Sequence, residues 1–387
     1  MRYIIILILG ITLTFSCKKK SVDETPSPAP ETESLALLEK EVLNTYLNIG
    51  DAVYEDAYST VDSLSIHIEA FCNSPTAEKF EACKYAWKRA RIMYGQTEAY
   101  RGVEGPIDNY ESYINGWPLD EAYIDYVYDS SKATNVYKGI INDTLNYKEI
   151  NYNTLREANE KLGDASVTTG YHAIEFLLWG QDFYTDSPGK RSFTDYTIAP
   201  NAERRRQYLL TVVFMLKQDI ANVRLEFKGN YRADLLVNVS LNYNCFLLLD
   251  GISKMSKGEF GGERIIPALE TKNQEDEHSC FSDNTHVDLV TNALGMQNIY
   301  LGVYKRKNGL FIKGRSLSTL IDRLNPGYNA NATQYISNAV TESLQIGIPF
   351  DRAILSDLGG HIKNTAQAWV GFSDELKKAA LAIESAK

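Results

Sequence analysis

Apolar residues recur at intervals of three and four along most of the sequence after residue 34, which is the spacing of helices that bury one face. We find no convincing run of alternating apolar and polar positions, the pattern that predicts a strand. The sequence therefore predicts an all-α protein. The predicted helices cover residues 35–72 (with a break at Ile49-Gly50), 76–101, 118–128, 201–227, 232–257, 283–305, 316–324, 332–346 and 351–386.

One short helix stands out because it is apolar on almost every side. It ends at Gly180, where a glycine can stop a helix, and Asp164 can cap its start, so we expect about four turns between them. His172 and Glu175 are titratable residues inside this apolar segment. Burying such a pair costs several kcal/mol unless something compensates for it, so this helix is the first place to look for a site.

A polar loop over residues 181–200 separates two helical halves of similar length. We expect an N-terminal helical bundle over 34–195 and a C-terminal helical bundle over 196–387. Helical bundles place ligand sites between helices and at domain interfaces, so a crevice between the two bundles is the expected location of a site.

The N-terminus predicts export. Arg2 precedes an apolar run that is too short to span a membrane and is typical of a signal peptide, here residues 1–16. A small residue precedes Cys17, which predicts a bacterial lipoprotein with lipid on that thiol, and residues 17–33 then form a polar tether. The protein is thus expected to be membrane-anchored, in the periplasm or at the cell surface. A plain secretory signal with an incidental cysteine is the alternative.

Composition adds two limits. The formal net charge of −10 argues against nucleic-acid binding, which requires a basic surface, and suggests cation handling only weakly. Four further cysteines, Cys72, Cys83, Cys245 and Cys280, could pair after export, with Cys72 to Cys83 stapling a hairpin and Cys245 to Cys280 closing a loop. Buried free thiols are an equal alternative.

His172 and Glu175 lie three residues apart, so on a helix both can reach one cation. The alternative is a buried histidine hydrogen-bonded to a glutamate. In the second predicted helix, Glu98 shares a face with Arg101, and Glu98 is the candidate third metal ligand.

Other candidate residues lie in irregular segments. Asp108 and Trp117 belong to the irregular stretch 104–118, and loops with aromatic and acidic residues are common at sites. In the second half, Asp283 is a candidate helix cap, and His286 follows in the first turn of the same helix. The sequence has no HExxH, GxSxG, Walker or GxGxxG motif, so it gives no support to the enzyme classes that those motifs mark.

Six segments, in order, resemble the imelysin family and its imelysin-like iron-regulated proteins. Gly170, His172 and Glu175 match the GxHxxE motif of that family. The matching segments are 94–101 (YGQTEAYR), 115–121 (NGWPLDE), 170–182 (GYHAIEFLLWGQD), 191–196 (RSFTDY), 258–259 with 262–264 (GE and GER) and 278–286 (HSCFSDNTH).

The resemblance implies two helical bundles with GxHxxE at their interface, export, and a link to bacterial iron uptake. We therefore expect a lipoprotein that binds a metal ion or an iron-bearing ligand between the bundles and works with iron-uptake partner proteins. His172, Glu175 and Glu98 are the expected ligands. Neutral imidazole with carboxylates suits iron or zinc. The other residues expected at the interface are Gly170, Arg101, Asp108, Trp117, Asp283 and His286.

Two alternative functions remain open at this stage. Imelysins have been classed as metallopeptidases, and in a metal-dependent peptidase Glu175 would be the general base on a metal-bound water. In a non-catalytic interaction module, the His172–Glu175 pair would be a structural hydrogen bond.

Overall fold

The computed structural model describes residues 34–385. The predicted signal peptide, the tether and the lipid-bearing Cys17 lie outside the described residues. Between residues 34 and 385, no helix combines the length and the apolar character needed to cross a bilayer.

Helices dominate the structure and confirm the predicted all-α class. The α-helices of residues 34–385 are α1 (Leu35–Asn73), α2 (Ala77–Tyr94), α3 (Glu111–Ile114), α4 (Glu121–Ile124), α5 (Gly139–Asn142), α6 (Tyr152–Ala158), α7 (Gly170–Trp179), α8 (Ala202–Lys228), α9 (Asn230–Ala233), α10 (Leu241–Lys254), α11 (Ile266–Thr271), α12 (Thr285–Leu301), α13 (Leu317–Leu324), α14 (Pro326–Ser343), α15 (Phe350–Ser356) and α16 (His361–Ser385). Tighter 3-10 turns cover Gly95–Tyr100, Pro106–Asn109, Phe193–Tyr196, Gln274–Asp276 and Leu358–Gly360, and wider π-helical turns cover Asp234–Asn238 and Met255–Glu263.

Two small antiparallel hairpins interrupt the helices. One pairs β1 (Val127–Asp129) with β2 (Thr134–Val136), and the other pairs β3 (Val303–Lys305) with β4 (Phe311–Lys313). Strands of three residues are too short for alternation to reveal them in a sequence. The predicted helix 283–305 therefore ends early, at Leu301, and the predicted helix 118–128 shrinks to α4.

The first helix is continuous, so the expected break at Ile49-Gly50 is wrong. Gly50 permits a close approach, since a Cβ there would lie 2.3 Å from the ring of Phe227 on α8 and 2.9 Å from Tyr100. Phe227 and Tyr100 also contact each other edge to face, with ring centroids 5.5 Å apart. The glycine therefore serves helix packing and does not end α1.

The predicted helix over 351–386 divides into α15 and α16. Asp357 accepts hydrogen bonds from the backbone N–H groups of Ile362 and Lys363, so its side chain caps the start of α16. The long predicted helix over 232–257 is also interrupted, by the π-helical turn before α10.

The core runs through both predicted halves. Helix α1 packs against α2 and α8 and also against α10, while α16 packs against α10 and α14. Leu35 onward forms one compact unit by its internal contacts. The division into bundles at residue 195 stays a prediction.

The four described cysteines, Cys72, Cys83, Cys245 and Cys280, are free and buried. The structure thus matches the free-thiol alternative. Burial raises the pKa of Cys72 to about 12 and that of the other three as well, which suppresses the reactive thiolate.

Candidate functional site

The helix that carries the GxHxxE motif, α7, is buried along its whole length. It starts at Gly170, so it is shorter than the four turns expected, and Asp164 is not its cap. Gly170 has a φ of +83°, and a Cβ there would lie 2.5 Å from the carbonyl oxygen of Ile114. The glycine of the motif therefore lets α7 begin against the segment that ends at Ile114.

His172 and Glu175 contact each other as the helical spacing predicts. His172 Nδ1 lies 2.9 Å from Glu175 Oε2. The other oxygen, Oε1, accepts hydrogen bonds from the backbone N–H of Ser282 at 3.0 Å and from its hydroxyl at 2.6 Å. Both oxygens of Glu175 are thus engaged, and its carboxyl group fixes the orientation of the imidazole.

The second ring nitrogen of His172 has no such partner. Nε2 is buried, and no residue between 34 and 385 hydrogen-bonds to it. Burial, together with the positive charge of Arg91, lowers the pKa of His172 well below its ordinary value, so the ring is neutral. Burial also raises the pKa of Glu175 to about 8. In the tautomer with its proton on Nδ1, His172 donates to Glu175 and leaves a lone pair on Nε2.

A second histidine lies next to the first. The rings of His172 and His278 are nearly perpendicular, at 79°, with centroids 4.8 Å apart. Burial and the charge of Arg264 lower the pKa of His278 to about 3, so this imidazole is neutral too. Trp117 covers both rings, with its centroid 5.0 Å from that of His172 and 6.5 Å from that of His278.

His278 has its own supporting carboxylate. Its Nδ1 lies 2.9 Å from Asp288 Oδ2, which also accepts from the Ser279 hydroxyl at 2.6 Å. Arg91 binds the same carboxylate through two nitrogens, at 3.2 Å and 2.9 Å, and also donates to Asn115. Burial would raise the pKa of Asp288, but Arg91 and His278 outweigh it and hold that pKa well below its usual range. Asp288 is therefore ionised and can accept a hydrogen bond from the Nδ1–H group of His278.

The predicted third ligand, Glu98, is held by arginines. Its Oε2 accepts from Arg264 and, at 3.0 Å, from Arg101, and both arginines also bind Glu259. Burial opposes ionisation, but the charges of Arg264 and Arg101 lower the pKa of Glu98 to about 2. Its Oε1 has no hydrogen-bond partner among the described residues. Arg101, predicted at the interface, thus forms ion pairs with three glutamates: Glu98, Glu259 and Glu111.

The histidine pair lies beside a cavity of about 710 Å³, of which His278 forms part of the lining and His172 does not. Its lining comes from both predicted halves and includes Trp117, His278, Arg101 and Arg264. The acidic residues of the lining outnumber the basic ones: they are Asp108, Glu111, Glu160, Asp164, Glu259, Glu263, Glu275 and Asp276. Such a surface attracts cations.

Asp108 is at the cavity, as expected, and it also shapes the loop beside it. Its carboxylate accepts from the backbone N–H groups of Gly102 at 2.9 Å and Gly105 at 3.1 Å. Glu111 lies deeper, 3.3 Å from Arg101, and burial together with the charge of Glu98 raises its pKa to about 7.

The two other predicted residues lie apart from the histidine pair. Asp283 is not the helix cap, because α12 starts at Thr285 and Asp283 adopts a φ of +53°. Its carboxylate lies instead beside those of Asp182 and Asp351. His286 occupies the first turn of α12, half-buried, and its Nδ1 has no partner among residues 34–385.

Sequence reasoning missed several residues of the site. The spacing Glu275-x-x-His278 lies in polar sequence without a helical pattern, so His278 is not among the predicted site residues. The 278–286 segment also supplies Ser279 and Ser282. Arg91 and Asp288 gave no local signal, because an ion pair between residues 197 positions apart becomes visible only in the fold.

The sequence profile of the imelysin family matches residues 51–376, and the chain belongs to that family. It is 24% identical over 319 residues to iron-regulated protein A of Synechococcus elongatus. The aligned region covers 82% of this chain and 78% of that protein.

Two crystal structures share the fold. A protein of Parabacteroides distasonis, assigned as an iron-regulated protein A precursor, aligns with a TM-score of 0.71 at 17% identity, over 92% of this chain and 97% of its own. An imelysin-like protein of Psychrobacter arcticus aligns with a TM-score of 0.56 at 13% identity, over 86% of this chain and 93% of its own.

Proposed function

We propose that this protein serves bacterial iron uptake by binding iron, with small co-ligands, in the cavity beside His172 and His278. Membership of the imelysin family and similarity to iron-regulated proteins support a role connected to iron. The protein would act as an exported lipoprotein, anchored to a membrane through Cys17 and delivering iron to partner proteins of uptake. This anchoring rests on the N-terminal sequence.

The observation that carries the proposal is the pair of neutral imidazoles, each supported by a carboxyl group at Nδ1. Histidines that bind metals in proteins commonly donate their other ring N–H to a carboxylate, which fixes the tautomer and the ring orientation. His278 has this arrangement with Asp288, and His172 has it with Glu175 once that group is ionised, which a cation bound at Nε2 would favour. The centroids of the two imidazole rings lie 4.8 Å apart. We therefore propose the Nε2 atoms of these two histidines as the direct ligands.

This assignment changes the roles of the two glutamates predicted as ligands. Glu175 would act by orienting His172, since both of its oxygens are already hydrogen-bonded. Glu98 is bound to two arginines, and its contacts favour a role in holding the cavity wall. With two protein nitrogens available, an iron ion would keep water or small anionic co-ligands in its remaining positions. A cavity of about 710 Å³ has room for them.

The contacts of Glu175 do not favour the peptidase alternative. A general base needs a basic oxygen directed at the reacting water. In this structure, Ser282 occupies one oxygen of Glu175 and His172 occupies the other.

Titration of ferrous iron under anaerobic conditions tests the proposal. We expect His172→Ala to weaken iron binding by more than tenfold, and Glu175→Gln to weaken it by about 10–100-fold, the usual cost of losing a group that orients a metal ligand. His67→Ala is the matched control, because His67 lies on α1 and hydrogen-bonds to the Ser63 carbonyl, outside the cavity. Calorimetry on the wild type and the three variants would measure the affinities, with zinc titrated in parallel.

Equal iron affinity in the wild type and in His172→Ala would contradict the proposal. If that variant also unfolded at a lower temperature, the result would instead favour the interaction-module alternative, in which the histidine is structural.

A further inference from the structure

Four acidic side chains from distant parts of the sequence meet next to the end of α7. They form the carboxylate cluster, which consists of Asp182, Glu277, Asp283 and Asp351. Oxygen atoms of the three aspartates all lie within 4.8 Å of one another. Glu277 lies beside two of these aspartates, Asp351 and Asp283.

The cluster is deeply buried. Relative exposure is 4% for Asp182, 6% for Asp283, 3% for Asp351 and 0% for Glu277. Surface clusters of acidic residues are common and are solvated by water, but these four are not at the surface. Their charge must be compensated inside the protein or removed by protonation.

The protein itself supplies almost no compensation. Both oxygens of Glu277 and of Asp351, together with Asp182 Oδ2 and Asp283 Oδ1, receive no hydrogen bond from any residue between 34 and 385. The Tyr184 backbone N–H donates to Asp182 Oδ1 at 2.9 Å. The Thr285 hydroxyl is near enough to lower the pKa of Glu277, yet it does not reach hydrogen-bond geometry.

Basic side chains do not fill this gap. Within residues 34–385, no lysine, arginine or histidine nitrogen forms an ion pair with a member of the cluster. Lys88 acts on the cluster without forming an ion pair: its positive charge lowers the pKa of Asp283. Burial, and then repulsion among the carboxylates, raises the pKa of Asp182 to about 8 and that of Asp283 to about 6. These shifts mark a site where a bound cation would gain considerable stabilisation.

We propose that the carboxylate cluster is a calcium-binding site, separate from the histidine pair and with a structural role. Its donors are all oxygens, without imidazole or thiolate, and such a donor set selects hard cations. Calcium binds six to eight oxygens at about 2.3–2.6 Å, so opposite ligands lie about 5 Å apart, in keeping with the spacing of these oxygens. Magnesium keeps several of its waters and demands a smaller octahedral shell, which a buried group of four carboxylates fits less well.

A cation in this position would join three segments. Asp182 belongs to the loop after α7, Glu277 and Asp283 belong to the segment before α12, and Asp351 belongs to the first turn of α15. The segment before α12 also carries His278, whose ring contacts that of His172, and Ser282, which donates hydrogen bonds to Glu175. Calcium would thus fix the segment that completes the iron site without touching the iron.

Calcium titration of chelator-treated full-length protein tests this proposal. We expect one calcium ion per chain by calorimetry, with magnesium bound at least tenfold more weakly. Glu277→Gln and Asp351→Asn should each weaken calcium binding by at least tenfold. Two exposed residues supply matched controls, Glu203→Gln and Asp186→Asn, which should bind calcium as the wild type does.

Thermal unfolding gives a second, sharper readout. Calcium should reverse the order of the melting temperatures of the wild type and Asp351→Asn. In chelator, Asp351→Asn should melt above the wild type, since it removes a repelling charge from the cluster. With calcium at 1 mM, the wild type should rise by several degrees and the variant should not, because only the wild type retains the full site.

Absence of calcium binding and of any calcium-dependent rise in the wild-type melting temperature would overturn the proposal, and would show that the carboxyl groups share protons. Undiminished binding in both Glu277→Gln and Asp351→Asn would also overturn it. The wild-type titration decides the matter even if a variant does not fold. His172→Ala should bind calcium normally, so failure of the iron proposal and failure of this one are separable.

Discussion

Replacing Arg91 by methionine is expected to lower the free energy of unfolding by about 3–5 kcal/mol, the usual cost of removing one partner of a buried ion pair. Arg91 and Asp288 are both buried, and the guanidinium binds the carboxylate through two nitrogens. Without Arg91, the Asp288 carboxylate would remain charged in the core with only neutral partners. Urea unfolding followed by circular dichroism would measure the loss.

A double-mutant cycle would isolate the pair. Adding Asp288→Asn to Arg91→Met removes the stranded charge, so the double variant should be clearly less destabilised than the sum of the two single variants. Arg232→Met is the matched control, because Arg232 makes one exposed hydrogen bond to Asn48, and we expect a change within about 0.5 kcal/mol. Additivity in the cycle would show that the pair is not the source of the effect.

The Arg91 variant should also bind iron more weakly than the wild type. Asp288 accepts a hydrogen bond from His278 Nδ1, and its position depends on Arg91. A shift of Asp288 would therefore release His278 from the orientation in which it faces the cavity. Iron titration of the folded variant, below its unfolding transition, would measure this effect separately from stability.

We expect Asp125→Asn to be destabilised by a similar amount, about 3–5 kcal/mol. Asp125 is fully buried and accepts hydrogen bonds from Arg191 at 2.7 Å and from Arg205 at 2.7 Å and 2.9 Å. The asparagine would leave the buried guanidinium of Arg205 without a carboxylate partner and that of Arg191 with Asp195 alone. This pair of arginines joins the loop after α7 to α8, so the loss would loosen the packing of α7.

The contribution of the Asp125 carboxylate to the free energy of unfolding should decrease at low pH. Burial opposes its ionisation, but the charges and hydrogen bonds of Arg191 and Arg205 outweigh burial and lower its pKa to about 2. A carboxylate whose pKa is lowered in the folded state contributes its full stabilisation at a pH above its unfolded-state pKa. It loses that contribution as the pH falls through its folded-state pKa. The difference in stability between wild type and Asp125→Asn should thus be constant above about pH 4 and shrink toward pH 2.

Unfolding curves at several pH values would test this, with Glu81→Gln as the control. Glu81 forms an exposed ion pair with Lys84, whose contribution to stability is small. A difference between wild type and Asp125→Asn that stayed constant down to pH 2 would contradict the role assigned to Asp125.

The sequence predicted the fold class and the contact between His172 and Glu175 because both depend on local patterns. Helical spacing of apolar residues does not require knowledge of the fold, and His172 and Glu175 meet because they lie one turn apart on α7. The ordered segments shared with the imelysin family then added the region around His278. These predictions needed only neighbours in sequence.

The remaining contacts could not be predicted because they join distant segments. Arg264 binds Glu98 from 166 residues away, and this contact makes a predicted ligand part of an ion network. Asp351 gave no signal in its own sequence surroundings, although it lies beside Asp182 and Asp283 in the structure. Gly50 predicted a helix break, but its role emerges only from the ring of Phe227 on another helix.

The position of Trp117 makes ligand entry visible to fluorescence. The chain has four tryptophans, and Trp87, Trp179 and Trp369 are buried in the core, whereas Trp117 is partly exposed at the cavity wall and covers His172. An ion bound to His172 would lie close to this indole, because the centroids of the two rings are 5.0 Å apart. Quenching of the fluorescence by iron would therefore report mainly on Trp117, and the rate of quenching would measure how fast iron binds beside it.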